Sequence, residues 1–296
     1  MSPTRSGTLF GIAAYAAWGS FPLFFPLLEP AGALEVLAHR VVWSLLVVGA
    51  LIAFGLATTK GLRRDQVLRL AVAAVLLAVN WGTYIYGVNS EQVVETSLGY
   101  FINPLVSVAL GVVVLGERLR PVQQLAVGIA FVAVVVLTVE AGHPPVIALV
   151  LAFSFGTYGL LKKQAGVGAI ASLAVETAVL TPAALIYLVA IGITGDGTFT
   201  TDGLGHTLLL VSAGLVTAGP LLAFGAAATR IPLSTLGVLQ YIAPTLQLLC
   251  GLVVAHEAFG VPQAIGFGLV WVALILFTSD LLSSHRAAQR TVLVAA

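Results

Sequence analysis

The chain has 296 residues, 59% of them hydrophobic and only 8% charged, with a formal net charge of +1. A water-soluble domain carries about 25% charged residues, so this composition excludes an ordinary soluble globule. The near-zero net charge gives no footing for nucleic acid, and a single cysteine, Cys250, excludes an intramolecular disulfide and a cysteine metal site.

Ten apolar stretches follow one another along the chain, over residues 7–28, 34–56, 67–89, 94–116, 121–139, 145–162, 168–192, 206–229, 234–255 and 261–282. A hydrocarbon core of ~30 Å needs about 20 apolar residues per helix, and these stretches match that length. The first could be read as a signal peptide behind Arg5. It is of spanning length, contains Trp18, Pro22 and Pro26, and no small-residue cleavage pattern follows. It therefore reads as a permanent helix. The sixth is marginal, and Lys162 and Lys163 at its end are expected to snorkel to the headgroups.

The basic residues sort to alternate gaps. Arg5, then Lys60, Arg63, Arg64 and Arg69, then Arg118 and Arg120, then Lys162 and Lys163, then Arg230, then Arg286 and Arg290 occupy one set. The other set holds Glu29, Glu91, Glu140, Asp196, Asp202, His256 and Glu257. Basic residues flanking membrane spans stay in the cytoplasm, which predicts ten crossings with both termini inside. Arg40 is the exception, about two turns into the second stretch.

The chain repeats itself with a shift of 140 residues. Between 100–137 and 240–277, Ile102, Pro104, Gly111, Glu117, Gln123 and Gly128 meet Ile242, Pro244, Gly251, Glu257, Gln263 and Gly268. The same shift lays Trp18-Gly19 over Tyr158-Gly159. The unit is then five helices long, residues 1–141 and 142–296. Because five is odd, the second copy enters the membrane inverted. Inverted repeats around a midplane site are a recurrent plan of secondary transporters. The fold class predicted is an all-α integral membrane protein of ten helices in two inverted five-helix repeats.

Polar residues within these spans mark candidate sites, because such groups face the bundle interior or a watery cavity. Ser97, Tyr100, Pro104, Ser107 and Gly111 form one stripe, and Gly237, Gln240, Pro244, Gln247 and Gly251 its counterpart. The stripes suit either helix packing or cavity lining. Pro104 and Pro244 each remove a backbone bond and free the carbonyl four residues earlier, at Tyr100 and Gln240. Either kink could be a hinge, or both could be static. Candidate cavity residues are Trp18, His39, Arg40, Asn80, Tyr84, Tyr100, Asn103, Gln240 and Tyr241. Hydrogen-bonding groups beside rings suit a zwitterionic or aromatic small molecule. Arg40 would hold a substrate carboxylate, or pair with Glu35 or a free carbonyl. Glu176 would titrate during proton coupling, or satisfy a helix partner.

The segments AWGSFPLFFPLL, LEVLAHRVVWSL, VNWGTYIYGVNS, SLGYFINPLVSVALGVVVLGERL and PLSTLGVLQYIAPTLQLL resemble the EamA/drug–metabolite transporter superfamily, most closely its RarD-like branch. The resemblance covers nearly the whole chain and implies a central cavity lined by helices 1–4 and 6–9, with helices 5 and 10 apart. It implies export of amino acids or other small metabolites from the bacterial inner membrane, with chloramphenicol-type drug efflux as the alternative cargo. His256 departs from its repeat equivalent Gly116.

No phosphate loop, metal spacing or nucleophile elbow is present, so no cofactor, metal or enzymatic activity is expected. A membrane-embedded enzyme would need clustered carboxylates or histidines, whereas the five histidines are dispersed. A receptor or assembly subunit would usually carry larger loops. The expected partners are a small-molecule substrate and the lipid bilayer, with the chain acting as a monomer and binding no nucleic acid.

Overall fold

The computed structural model describes residues 2–89, 93–141, 146–253 and 261–294. Among these every regular element is helical. In chain order they are α1 (Pro3–Gly19), α2 (Ala33–Ala53), α3 (Arg64–Asn89), α4 (Val93–Leu115), α5 (Pro121–Ala141), α6 (Val146–Ala165), α7 (Ala169–Thr194), α8 (Gly203–Ala228), α9 (Leu233–Leu239), α10 (Ile242–Val253) and α11 (Val261–Val294). Five of them, α2, α3, α6, α7 and α8, are long and apolar enough to cross a membrane by length and composition. Shorter apolar helical segments lie at Gly99–Leu115, Pro121–Val136 and Ala264–Asp280.

Two apolar stretches are not continuous helices. The first stops being α-helical at Gly19 and proceeds through 3-10 turns at Phe21–Leu23 and Phe25–Leu28. Pro22 and Pro26 explain this, since each lacks a donor and disfavours the α conformation of the residue before it. The ninth breaks between α9 and α10, four residues before Pro244. At that break the freed Gln240 carbonyl accepts from the Ala243 N–H at 3.1 Å, closing a tight turn instead of needing cavity water. Pro104, by contrast, lies inside an uninterrupted α4.

Packing centres on two helices: α6 packs on α3 and α4, and α1 packs on α8, α9 and α10. The bundle is continuous across these groups, with α2 against both α7 and α8, α3 against α7, α4 against α9, and α5 against α11. Small residues permit the close approaches. At Gly214 of α8 an added Cβ would strike the Trp43 backbone of α2, and at Gly237 of α9 it would meet the Pro104 carbonyl at 2.9 Å.

Polar contacts tie the two ends of the bundle. At one end the Arg69 guanidinium donates to the Gln164 carbonyl at 3.0 Å and the Lys163 ammonium to the Ile231 carbonyl at 2.5 Å. The Glu117 carboxylate there accepts from the Leu233 and Ser234 amides at 2.6 and 2.8 Å, capping the start of α9. At the other end the Glu35 carboxylate accepts from the Thr198 amide at 2.7 Å.

Lys162 does not snorkel. It is 3% exposed and turned inward, its ammonium 2.8 Å from Glu176 of α7. A carboxylate already inside the bundle offers this ammonium a stronger partner than lipid headgroups do. Lys163 likewise caps the end of α8.

Candidate functional site

Helices α2, α3, α7 and α8 enclose a small cavity lined by Arg40, Val41, Ser44, Leu77, Trp81, Leu173, Glu176, Thr177, Leu180, Thr217 and Leu221. It has room for about one water molecule. Five aliphatic side chains and Trp81 make up just over half of its walls, which follows from the near-continuous apolar character of these four helices. Its charged groups come from two of them: Arg40 on α2 and Glu176 on α7.

The Arg40 Nε donates to the Thr217 hydroxyl at 2.8 Å. Its guanidinium carbon lies 4.6 Å from the Trp81 ring centroid, 5.3 Å from Phe25 and 5.5 Å from Phe21. The last two rings arrive because the first span unwinds into 3-10 turns over this spot. Cation–π attraction then partly replaces the lost water. Arg40, Trp81, Phe21 and Phe25 thus form one constellation. Tyr84, three residues after Trp81 on α3, meets Tyr100 of α4 edge to face with ring centroids 6.0 Å apart.

Glu176 is held by four donor contacts. Lys162 Nζ approaches its two oxygens at 2.8 and 3.1 Å, the Tyr158 hydroxyl donates at 3.1 Å and the Ser172 hydroxyl at 2.8 Å. Lys162 also lies 5.2 Å from the Tyr158 ring centroid. The cluster is buried throughout, a charge-neutral network whose hydrogen bonds are satisfied.

The remaining predicted residues disperse. His39 points away from Arg40: it stacks on Phe199 at 4.6 Å, its Nδ1 accepts from the Trp43 indole at 3.2 Å, and its Nε2 is 4.0 Å from Glu35. His206 joins the same end through the Thr198 hydroxyl at 2.8 Å. Asn80 ties α3 to α6, donating to the Leu151 carbonyl at 2.9 Å and the Ser154 hydroxyl at 3.1 Å. Trp18 sits in an aromatic cluster with Tyr15, Phe155 and Phe224 at 5.4–5.7 Å. Gln240 accepts from the Ser107 hydroxyl at 3.2 Å, and the buried Tyr15 hydroxyl has no hydrogen-bond partner among the described residues. Tyr241 donates to the Phe101 carbonyl at 3.2 Å and, with Pro104, lines a seam between α4, α5, α9 and α11. Asn103 is buried with its Oδ1 unpartnered. Between α4 and α9, then, the polar stripes pack against each other, and Tyr100 meets Tyr84 of α3 instead. Glu91, Gly142, His143, His256 and Glu257 lie outside the described residues, as does the Ser97 side chain.

Sequence reasoning missed Trp81 as an Arg40 partner, and it missed Thr217, Lys162 and Tyr158. The spacing of Trp81, three residues before Tyr84 on one helical face, was the available signal for the first. The others come from different helices and leave none.

An apolar bundle whose helices are long enough to span a membrane, with a buried cation among rings, defines an integral membrane protein. The chain matches the EamA-like transporter family over residues 5–139. It is 56% identical over 287 residues to the protein RarD of Streptomyces exfoliatus, covering 95% of this chain and 91% of that one. It is 41% identical to the uncharacterized transporter YojE of Bacillus subtilis, covering 97% and 98%. A solved crystal structure shares the fold with a TM-score of 0.70 at 22% identity, covering 92% of this chain and 98% of its own. The protein belongs to the EamA-like family of the drug–metabolite transporter superfamily, in its RarD-like branch.

Proposed function

We propose that the protein is a secondary transporter of the bacterial inner membrane that exports amino acids or similar small metabolites by alternating access. In this reading the chain spans the membrane ten times with both termini cytoplasmic, in inverted repeats 1–141 and 142–296, and works as a monomer without a cofactor. The observation that carries it is the way helix packing maps onto itself when five spans are exchanged. Contacts of α6 with α3 and α4 correspond to those of α1 with α8 and the α9–α10 span, while α2 meets α7, α4 meets α9, and α5 meets α11. Phe101 and Tyr241, 140 residues apart, hydrogen-bond to each other, as equivalent residues on a two-fold axis would. A two-fold axis of this kind lets two bodies exchange shapes around a central site. The family match over 5–139 has the length of one such repeat. The uncharacterized transporter from Bacillus is named for transport, in keeping with a carrier and not an enzyme.

The sidedness rests on the basic residues, whose contacts gather at the end of the bundle where Glu117 caps α9. Glu176 is assigned to proton coupling only in a state in which Lys162 releases it. The rings around Arg40 favour a second reading, efflux of an aromatic drug of the chloramphenicol type. Counterflow in proteoliposomes separates the two. Vesicles preloaded with unlabelled amino acids should transiently accumulate the labelled compound in a protein-dependent way, with and without a pH gradient as separate arms. Accumulation of chloramphenicol alone would replace metabolite export with drug efflux, and no protein-dependent flux of either would refute both.

A further inference from the structure

Arg40 is a cation deep in an apolar bundle, and among the described residues no carboxylate pairs with it. Glu35, five residues earlier on the same helix, is engaged by the Thr198 amide at 2.7 Å and lies 4.0 Å from His39. Glu176, on the opposite wall of the cavity, is matched by Lys162. Among the described residues, then, the cavity's charges do not cancel: Glu176 is neutralised and Arg40 is left over. An arginine inside a membrane costs about 2.5–3.5 kcal/mol even on the mildest scale, and no described carboxylate offsets that cost, which leaves a place for an anionic ligand.

The geometry says which part of the guanidinium is free. The group has five N–H donors in a planar fork. Nε is used by Thr217, while Trp81, Phe25 and Phe21 attract the group through their rings. The two terminal nitrogens make no hydrogen bond within the described residues, and neither is among the fully buried unpartnered atoms. Two parallel N–H groups with this spacing match the two oxygens of a carboxylate. Around them stand rings and aliphatic walls, suited to an apolar or aromatic body.

We propose that Arg40 is the anchor for the carboxylate of the transported molecule, so that the cargo is a small carboxylate with an apolar or aromatic body and not a cation or a neutral drug. Thr217 is the positioning residue that aims the fork, by fixing Nε. The proposal rests on the transporter reading, and it narrows the substrate class within it. An amine without a carboxylate meets an uncompensated positive charge here, and a neutral amide leaves the fork half-satisfied.

The test uses the full chain in nanodiscs of phosphatidylcholine, with four probes that share a phenyl ring and differ in their amine and carboxyl groups: L-phenylalanine, 3-phenylpropionate, phenethylamine and phenylalaninamide. Binding is read by titration calorimetry. The two carboxylates should bind at least about tenfold more tightly than the amine and the amide. Arg40→Gln should lose that preference, and Arg40→Lys should keep part of it, because a point charge attracts an anion but lacks the fork. Thr217→Val, which leaves the charge in place, should weaken the carboxylates severalfold and serves if the Arg40 variants fail to fold. Equal binding of all four probes, binding by none, or an Arg40→Gln protein with unaltered preference would overturn the proposal. A phosphatidylglycerol arm guards against a lipid oxyanion as the natural occupant: carboxylate binding abolished by that lipid would also overturn it. Counterflow of the same probes keeps the two claims apart. Arg40-dependent binding without flux would sink the transporter reading alone, and flux indifferent to Arg40 would sink the anchor alone.

Discussion

The buried Lys162–Glu176 pair shows what single residues contribute. Glu176 receives two contacts from Lys162 and one each from Tyr158 and Ser172, so removing one partner leaves a charge in a dry interior. Lys162→Ala should therefore destabilise the protein by about 3–5 kcal/mol. The double variant Lys162→Met with Glu176→Gln, which removes both charges, should recover most of that loss. Thermal unfolding in detergent reads both, and a double variant no more stable than the single one would contradict the assignment. The sequence showed both residues and offered a helix partner as one reading of Glu176, yet it could not name Lys162, which reaches it from another helix. It showed Arg40 as anomalous for the opposite reason: a charge in an apolar run is visible without any knowledge of what surrounds it. Asn80 and Tyr241 were visible in the same way, but they spend their polar groups on helix–helix ties, and composition cannot distinguish a tie from a lining group.

At the scale of elements, apolar periodicity located the spans, and proline chemistry located the breaks less evenly. Pro22 and Pro26 end α1 early, and Pro244 stands just after the α9–α10 break, whereas Pro104 at the equivalent position leaves α4 whole. The identical residue thus behaves differently in the two halves, because neighbouring packing decides whether the lost bond becomes a break. Gly237 seats α9 on the Pro104 carbonyl and braces α4 there. Pro244→Ala restores a donor to the Gln240 carbonyl and should join α9 to α10. Amide hydrogen exchange over 241–245 should slow by about tenfold or more, since an interior proline costs ~3 kcal/mol. Pro104→Ala should leave exchange in α4 nearly unchanged. Equal responses at the two sites would mean that the break has another cause.

For the whole molecule, the repeat predicted from the sequence and the packing are not divided at the same point. The predicted repeat ends at residue 141, but contacts cross that point: in the transporter reading the two moving bodies are α6 with α3 and α4, and α1 with α8, α9 and α10. Sequence similarity records equivalence between positions and says nothing about which copies touch. Glu117 belongs to the first body and caps α9 in the second, a charge-assisted tie at the end of the bundle rich in basic residues. Loss of such a cap costs about 0.5–2 kcal/mol, enough to shift a two-state population severalfold.

Spin-label distances across the two bodies test alternating access directly. One pair joins exposed Leu27 and Val146 at the Glu29 end, and another joins exposed Leu9 and Leu68 at the Arg5 end. Glu117→Ala should lengthen the Leu9–Leu68 distances and shorten the Leu27–Val146 distances in the same nanodisc preparation. If both pairs move in the same sense, or the Leu27–Val146 pair stays fixed while the other opens, the two bodies do not rock about a shared centre.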